Sequence, residues 1–396
     1  MTSLLDLPSE LLLVIAKLLL YTRPEKIYGK IPFYQLHHAF RHAFDHNQPR
    51  RIKDIHSLLL TTRRLKALLE PVFYRDVFVR EFDRYGSKQP WHQLQESLDN
   101  NPGLRSHIFS AMIPCVSRGG DSFMQDGYQV FWFPNLTTLT LHNFRDWEEL
   151  EFDDNSHVCT SPVEHLRLIQ CGAHEKALKA LISWPWALRT LLYDADQCEW
   201  SGHYEDQPAK EWTCEAFVRA LQSQKENLED LIMTRPMLDH EGLFHSPPID
   251  LRDFLSLRTL QIYHAFLCGW TPTGSRLSER LPPSLEVLEV YYDDIDMFRF
   301  VDGDRGDPNH DDFIDSLLMN KRQDLPKLHT VKIYSPELMH DSDVDGELEE
   351  EPWKLPASLA HDASEAGIKI EVRVGCLEVP NCNTDIFRSL EVSLNR

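Results

Sequence analysis

The feature that most constrains this chain is a six-residue frame with apolar residues at its first, fourth and sixth places. It occurs as Leu136-Leu139-Leu141, Val163-Leu166-Leu168, Leu228-Leu231-Met233, Leu257-Leu260-Ile262, Leu285-Leu288-Val290 and Leu328-Val331-Ile333, with Leu188-Leu191-Tyr193 as a looser copy. Successive frames start 27, 25, 40, 29, 28 and 43 residues apart. Weaker copies lie at Leu104–Met112 and Gly367–Val372. A repeat of this period decides the architecture before local propensity does. Pro134, Pro185, Pro283 and Pro326 precede frames, as turns leading into strands require. Between frames lie short helical patterns at His174–Trp184, Thr213–Leu221 and Asp312–Leu318. A strand plus a helix or loop, repeated seven times, can bury its apolar face only if neighbouring units stack. The fold class predicted is therefore α/β, a parallel-stranded solenoid over residues 104–375. The long intervals read as insertions. Two of them, Asp293–Asp312 and Asp341–Glu351, are acidic and are expected as solvated loops. Residues 376–396 would form a C-terminal cap or tail.

The first 80 residues follow a different rule. Leu11, Leu12, Ile15, Leu18 and Leu19 make an apolar stripe at helical spacing, starting near Asp6 with Pro8 in the first turn and stopping by Pro24. A second helix is expected at Phe33–His46. A third is expected from about Asp54 to Leu69, ending at Pro71 before a strand-like run, Val72–Val79. Residues 81–103 read as a connector.

Composition narrows the function classes. Lys plus Arg is 41 against 62 Asp plus Glu, a net charge of −21. Such a chain repels phosphate backbones and anionic membranes, so neither nucleic acid nor membrane is an expected partner. The apolar run Leu11–Leu20 is too short to span a bilayer, and it follows Asp6 and Glu10 rather than a basic leader. None of the eight cysteines forms a C-x-x-C pair, and the closest two, Cys376 and Cys382, have five residues between them. Reduced thiols, a cytoplasmic or nuclear location and no disulfide framework are expected.

No motif for chemistry stands out. His38, His42 and His46 line one helical face but lack further ligands, and they read as a solvated face. Asp341, Asp343, Asp345 and Gly346 imitate the start of a calcium loop, yet Pro352 stands where the bidentate Glu is needed. His240 and His245 are one residue too far apart for a zinc-protease helix. The expectation is a non-enzyme with no cofactor and no metal.

The N-terminal residues Leu7-Pro8-Ser9-Glu10-Leu11-Leu12, followed by Ile15 and Leu19, resemble the first half of an F-box. Asp54-Ile55, Leu58, Leu60, Thr61-Thr62-Arg63-Arg64-Leu65 and Leu68 resemble its second half. The frame is similar to leucine-rich repeats, and an F-box followed by such repeats is a recurring domain order. The two half-motifs are separated by an insertion at about residues 20–53 where the family has a handful, and the repeats lack the Asn or Cys column of regular types. The resemblance implies a small α-helical F-box over residues 1–80, then an irregular leucine-rich-repeat solenoid with a parallel sheet. It also implies a function: docking on a Skp-type adaptor, and through it a cullin scaffold, while the repeats hold a protein substrate for ubiquitin transfer. The implied adaptor-binding residues are Leu7, Pro8, Glu10, Leu11, Leu12, Ile15 and Leu19. The alternative is a repeat scaffold whose N-terminal helices only cap the stack.

Side chains alternate along a strand, so residues between the frame positions face away from the core. Arg167, Tyr263, Glu289, Tyr291, Lys332 and Tyr334 are the candidate substrate-binding residues on that face. The three tyrosines hold equivalent slots, which predicts an exposed ring ladder at about 4.8 Å spacing.

Overall fold

The computed structural model describes residues 7–19, 60–79, 90–115, 127–142, 144, 157–172, 175–195, 213–234, 247–268, 276–292, 308–335 and 357–374. Several expectations lie outside these residues: the insertion at 20–53 with its helix and histidines, residues 54–59, the His240 and His245 pair, the acidic stretches 293–307 and 341–351, and the segment 375–396. The chain divides into two compact units, the first reaching His142 and the second covering Asn143–Leu377.

In the first unit, α1 (Ser9–Leu19) packs on α2 (Arg63–Phe73). Helix α1 begins after Pro8 rather than near Asp6, because the Pro8 carbonyl accepts the first helical bonds, from Leu11 and Leu12 N–H. The expected third helix also starts late. Thr62 is its N-cap, with Oγ1 accepting from Leu65 N–H at 3.1 Å, so Leu60 and Thr61 form the turn before it. It runs past Pro71 to Phe73, since a proline this close to a helix end forfeits little of the ladder. The pair shares a small core of Leu12, Leu65 and Leu69, with Leu7, Leu13, Leu68 and Phe73 packed around it.

Strand β1 (Asp76–Phe78) precedes α3 (Pro90–Asn100) and a 3-10 turn (Pro102–His107), so the described part of the expected connector, residues 90–103, is largely helical. Strands β2 (Ser110–Pro114) and β3 (Thr138–His142) continue the unit, and β1, β2 and β3 pair in parallel in that order. Strand addition thus starts before residue 104. The frame of β2 is Ile108-Ala111-Ile113, all buried. Alanine at its centre hides it from a search for bulky residues.

Among its described residues the second unit holds seven strands: β4 (His165–Cys171), β5 (Thr190–Ala195), β6 (Asp230–Thr234), β7 (Thr259–Tyr263), β8 (Val287–Tyr291), β9 (Thr330–Ser335) and β10 (Lys369–Val374). Each pairs in parallel with the next, so spatial order is sequence order. Between them lie α4 (Glu175–Ser183), α5 (Cys214–Leu221), α6 (His264–Cys268), α7 (Leu277–Arg280), α8 (Pro308–Asp324) and α9 (Ala357–Ala366). The mixed α/β class and the all-parallel pairing follow the sequence expectation. Helix α8 is longer than expected and takes in residues 308–312 of a presumed acidic loop.

Register explains the frame. Leu166, Leu191, Leu231, Leu260, Leu288, Val331 and Ile370 lie in one column, and Leu168, Tyr193, Met233, Ile262, Val290, Ile333 and Val372 in another. All 21 residues of the seven frames from Leu136 to Ile333 are at most 2% exposed. The last repeat departs from the rule: Gly367 stands where the others have an apolar residue. It ends α9 with φ +68°, a left-handed backbone that disfavours any side chain.

Candidate functional site

Two surfaces carry the sequence candidates. The first is α1. Leu12 is 3% exposed and belongs to the α1–α2 core, so it faces its partner helix rather than a free surface. Leu7 is half-buried against the same core, and its carbonyl accepts from Arg64 Nη2 at 3.3 Å. Pro8 and Glu10 are exposed, and Leu11 is 49% exposed. Val14, not among the expected residues, is 51% exposed, one turn along from Leu11 on the same side. For Ile15 and Leu19 only the backbone is described. The helix is apolar on both sides, and α2 covers one of them. Helical spacing alone could not tell which leucines α2 would take.

The second surface is the sheet face away from the frame core. Its middle column reads Arg167, Leu192, Ile232, Gln261, Glu289, Lys332 and Glu371 across β4–β10. Tyr263, Tyr291 and Tyr334 stand together two positions further on, in register. Tyr291 and Tyr334 stack with centroids 4.8 Å apart and planes 8° apart, and Tyr263 meets Tyr291 at 6.0 Å, tilted by 40°. The structure brings Tyr263, Glu289, Tyr291, Lys332 and Tyr334 into one cluster, while Arg167 lies on β4, three strands from β7. One expectation needs correcting: Tyr291 is only 4% exposed, because rings on both neighbouring strands cover it, so the ladder offers its flanks and not its centre. Glu289 is also buried, at 7%.

Lys332 on the neighbouring strand reaches Glu289. Lys332 Nζ lies 2.6 Å from Glu289 Oε1, and the Tyr291 hydroxyl donates to Oε2 at 3.4 Å. Burial works against the Lys332 ammonium, but the Glu289 carboxylate outweighs it and raises the lysine pKa. Burial first, then the Glu289 charge, push the Tyr291 phenol well above its ordinary range. On β4, burial pulls the His165 imidazole below its usual value. Both raised groups contribute stability that is complete below their unfolded values, about pH 10, and is lost as pH climbs toward the folded ones. Alkaline destabilisation should therefore begin near pH 10. Tyr291→Phe should lose less melting temperature than the parent between about pH 9.5 and 11, since the other tyrosines and lysines are common to both. Equal slopes would place the phenol outside this coupling.

Among the described residues no group of three or more His, Cys, Asp or Glu side chains could hold a metal, and no helix is long and apolar enough to cross a membrane. Cys115, Cys159, Cys171, Cys214 and Cys268 are thiols outside any disulfide, and burial pushes Cys268 up to about 12. Compared with known proteins, the chain matches no family model and no curated sequence.

Proposed function

We propose that the chain is a non-catalytic substrate receptor of a cullin-type ubiquitin ligase. The N-terminal helices act as an F-box that docks on a Skp-type adaptor, and the parallel-stranded region acts as a leucine-rich-repeat solenoid holding a protein substrate. The observation that carries the reading is the exposed stripe of Pro8, Leu11 and Val14 on a helix whose other side is already packed on α2. Apolar surface left over on a small helix pair is what a helix-in-groove partner takes up. The Tyr263, Tyr291, Tyr334 cluster with Glu289 and Lys332 supports a protein-binding sheet face, since amphipathic aromatics are enriched in such interfaces. Substrate transfer then needs no chemistry from this chain, only a fixed geometry.

A second reading has its own support. Helix α2 ends at Phe73, β1 begins at Asp76, and Arg75 O between them accepts from Phe109 and Ser110 N–H at 2.9 and 3.1 Å. The helix pair thus runs straight into the first strand, as a cap sealing a scaffold would. Binding of the full chain to a purified Skp-type adaptor separates the two. The ligase reading expects tight binding that Leu11→Asp with Val14→Asp weakens roughly 30-fold or more, with the melting temperature unchanged because both sites are exposed. An absence of binding by the parent chain leaves the cap.

A further inference from the structure

The first unit contains a cavity of about 190 Å³ that neither reading uses. It lies between α3, the 3-10 turn Pro102–His107 and a second 3-10 turn, Gly127–Trp132. Its apolar lining is Leu98, Val130 and Phe133, at 2%, 1% and 6% exposure. Its polar lining is Asp99, Arg105, Gln95 and Gln129. Arg105 Nη2 donates to Asp99 Oδ1 at 2.8 Å, which leaves Asp99 Oδ2 and the outer N–H groups of the guanidinium for another molecule.

The pair is open to solvent on one side, with the Arg105 and Asp99 side chains 37% and 69% exposed, and two details set it apart from an ordinary surface ion pair. Asp99 sits in the last turn of α3, where the helix dipole disfavours a carboxylate and no basic residue of the helix offsets it. Arg105 Nε is shut off from water and has no hydrogen-bond partner among the described residues, which costs its desolvation uncompensated. The fold thus accepts two local penalties to hold this pair at the cavity wall. Such groups in a native structure call for an explanation.

The chemistry of the wall selects the occupant. An anion would gain Arg105 but meet the Asp99 carboxylate, and a cation would meet the reverse. A neutral group with a donor and an acceptor on adjacent atoms satisfies both. The volume is below the range of drug-sized pockets, roughly 300–1,000 Å³, and equals about six waters' share of liquid. We infer that the cavity binds a primary amide on a short apolar stem, of the glutamine side-chain type. The carbonyl accepts from Arg105, the NH₂ donates to Asp99, the stem lies on Leu98, Val130 and Phe133, and the Gln95 and Gln129 amides close the polar side.

Ligand-observed NMR on the full chain tests this with propionamide, propionate and propylammonium. Propionamide should bind in the millimolar range and roughly 10-fold tighter than either ion. Two further probes separate the sources of the group. Binding of a blocked glycine–glutamine–glycine peptide but not free glutamine assigns the site to a partner's side chain, and the reverse assigns it to a small molecule. Arg105→Met should abolish amide binding without lowering the melting temperature, because it also removes the unpartnered Nε–H. Should that variant fail to fold, Gln129→Ala on the exposed rim should weaken the amide severalfold. Amide binding no tighter than that of the ions, or unchanged in the variants, overturns the site.

Discussion

Gln224→Ala is expected to lower the unfolding free energy by about 3–5 kcal/mol, read as a fall in the urea midpoint of the full chain. Gln224 is fully buried, at the end of the 3-10 turn Gln222–Gln224 that follows α5. Its Nε2 donates to the carbonyls of Ile182 and Pro185 at 2.9 and 2.7 Å, and its Oε1 accepts from Leu188 N–H at 3.1 Å. One side chain therefore ties the end of α4, the turn after it and the first residue of the β5 frame to the following repeat. Truncation leaves three buried backbone groups without partners, each costing roughly 1–3 kcal/mol. Gln224→Glu sharpens the test by keeping the shape. Its carboxylate could accept from Leu188, but two carbonyls face its other oxygen, so burial there favours the protonated acid. A folded pKa raised above the unfolded value of about 4.3 makes that variant most stable below pH 4 or so. It should lose stability relative to the parent as pH rises toward neutrality. A variant indifferent to pH would mean that water or a backbone shift satisfies the site.

Nothing in the sequence marks Gln224. It sits in the polar run Gln222-Ser223-Gln224-Lys225, which reads as a solvated turn. The frame residues were legible because one periodic rule acts on every strand and burial follows from register. Buried polar keystones are set by which backbone groups the stacking leaves unpaired, and those groups come from segments about 40 residues apart. The cavity was hidden for the same reason, since its walls converge from three stretches without a shared pattern. The tyrosine column was legible as a column, and the 4.8 Å stack of Tyr291 on Tyr334 is the spacing that neighbouring strands impose. Its burial was not, because two flanking rings and an ion pair cover the central ring. In α1 the sequence showed more apolar residues than one neighbour needs, and α2 decided that Leu12 goes inside while Leu11 and Val14 stay out.

Two leucines of one repeat give the second large effect and test the frame itself. Leu260 lies in the middle of β7, paired with Leu231 on β6 and Leu288 on β8, and all three are 0% exposed. Leu255, five residues earlier, lies in the turn before the strand and is 56% exposed. Leu260→Ala should cost about 2–5 kcal/mol, transfer loss plus a cavity that two flanking strands cannot close. Leu255→Ala should stay within about 0.5 kcal/mol of the parent. The loss at Leu260 should also be local first. Where each repeat touches only its neighbours, stability is close to a sum of unit and interface contributions, so a cavity in one unit weakens that unit and the two beside it. Hydrogen exchange in the Leu260→Ala variant should therefore speed up most in β6, β7 and β8 and least in β10. Uniform acceleration across β4–β10 would instead mean that the second unit opens as a single block. In that case a partner held on β7–β9 would also be tied to the state of strands it does not touch.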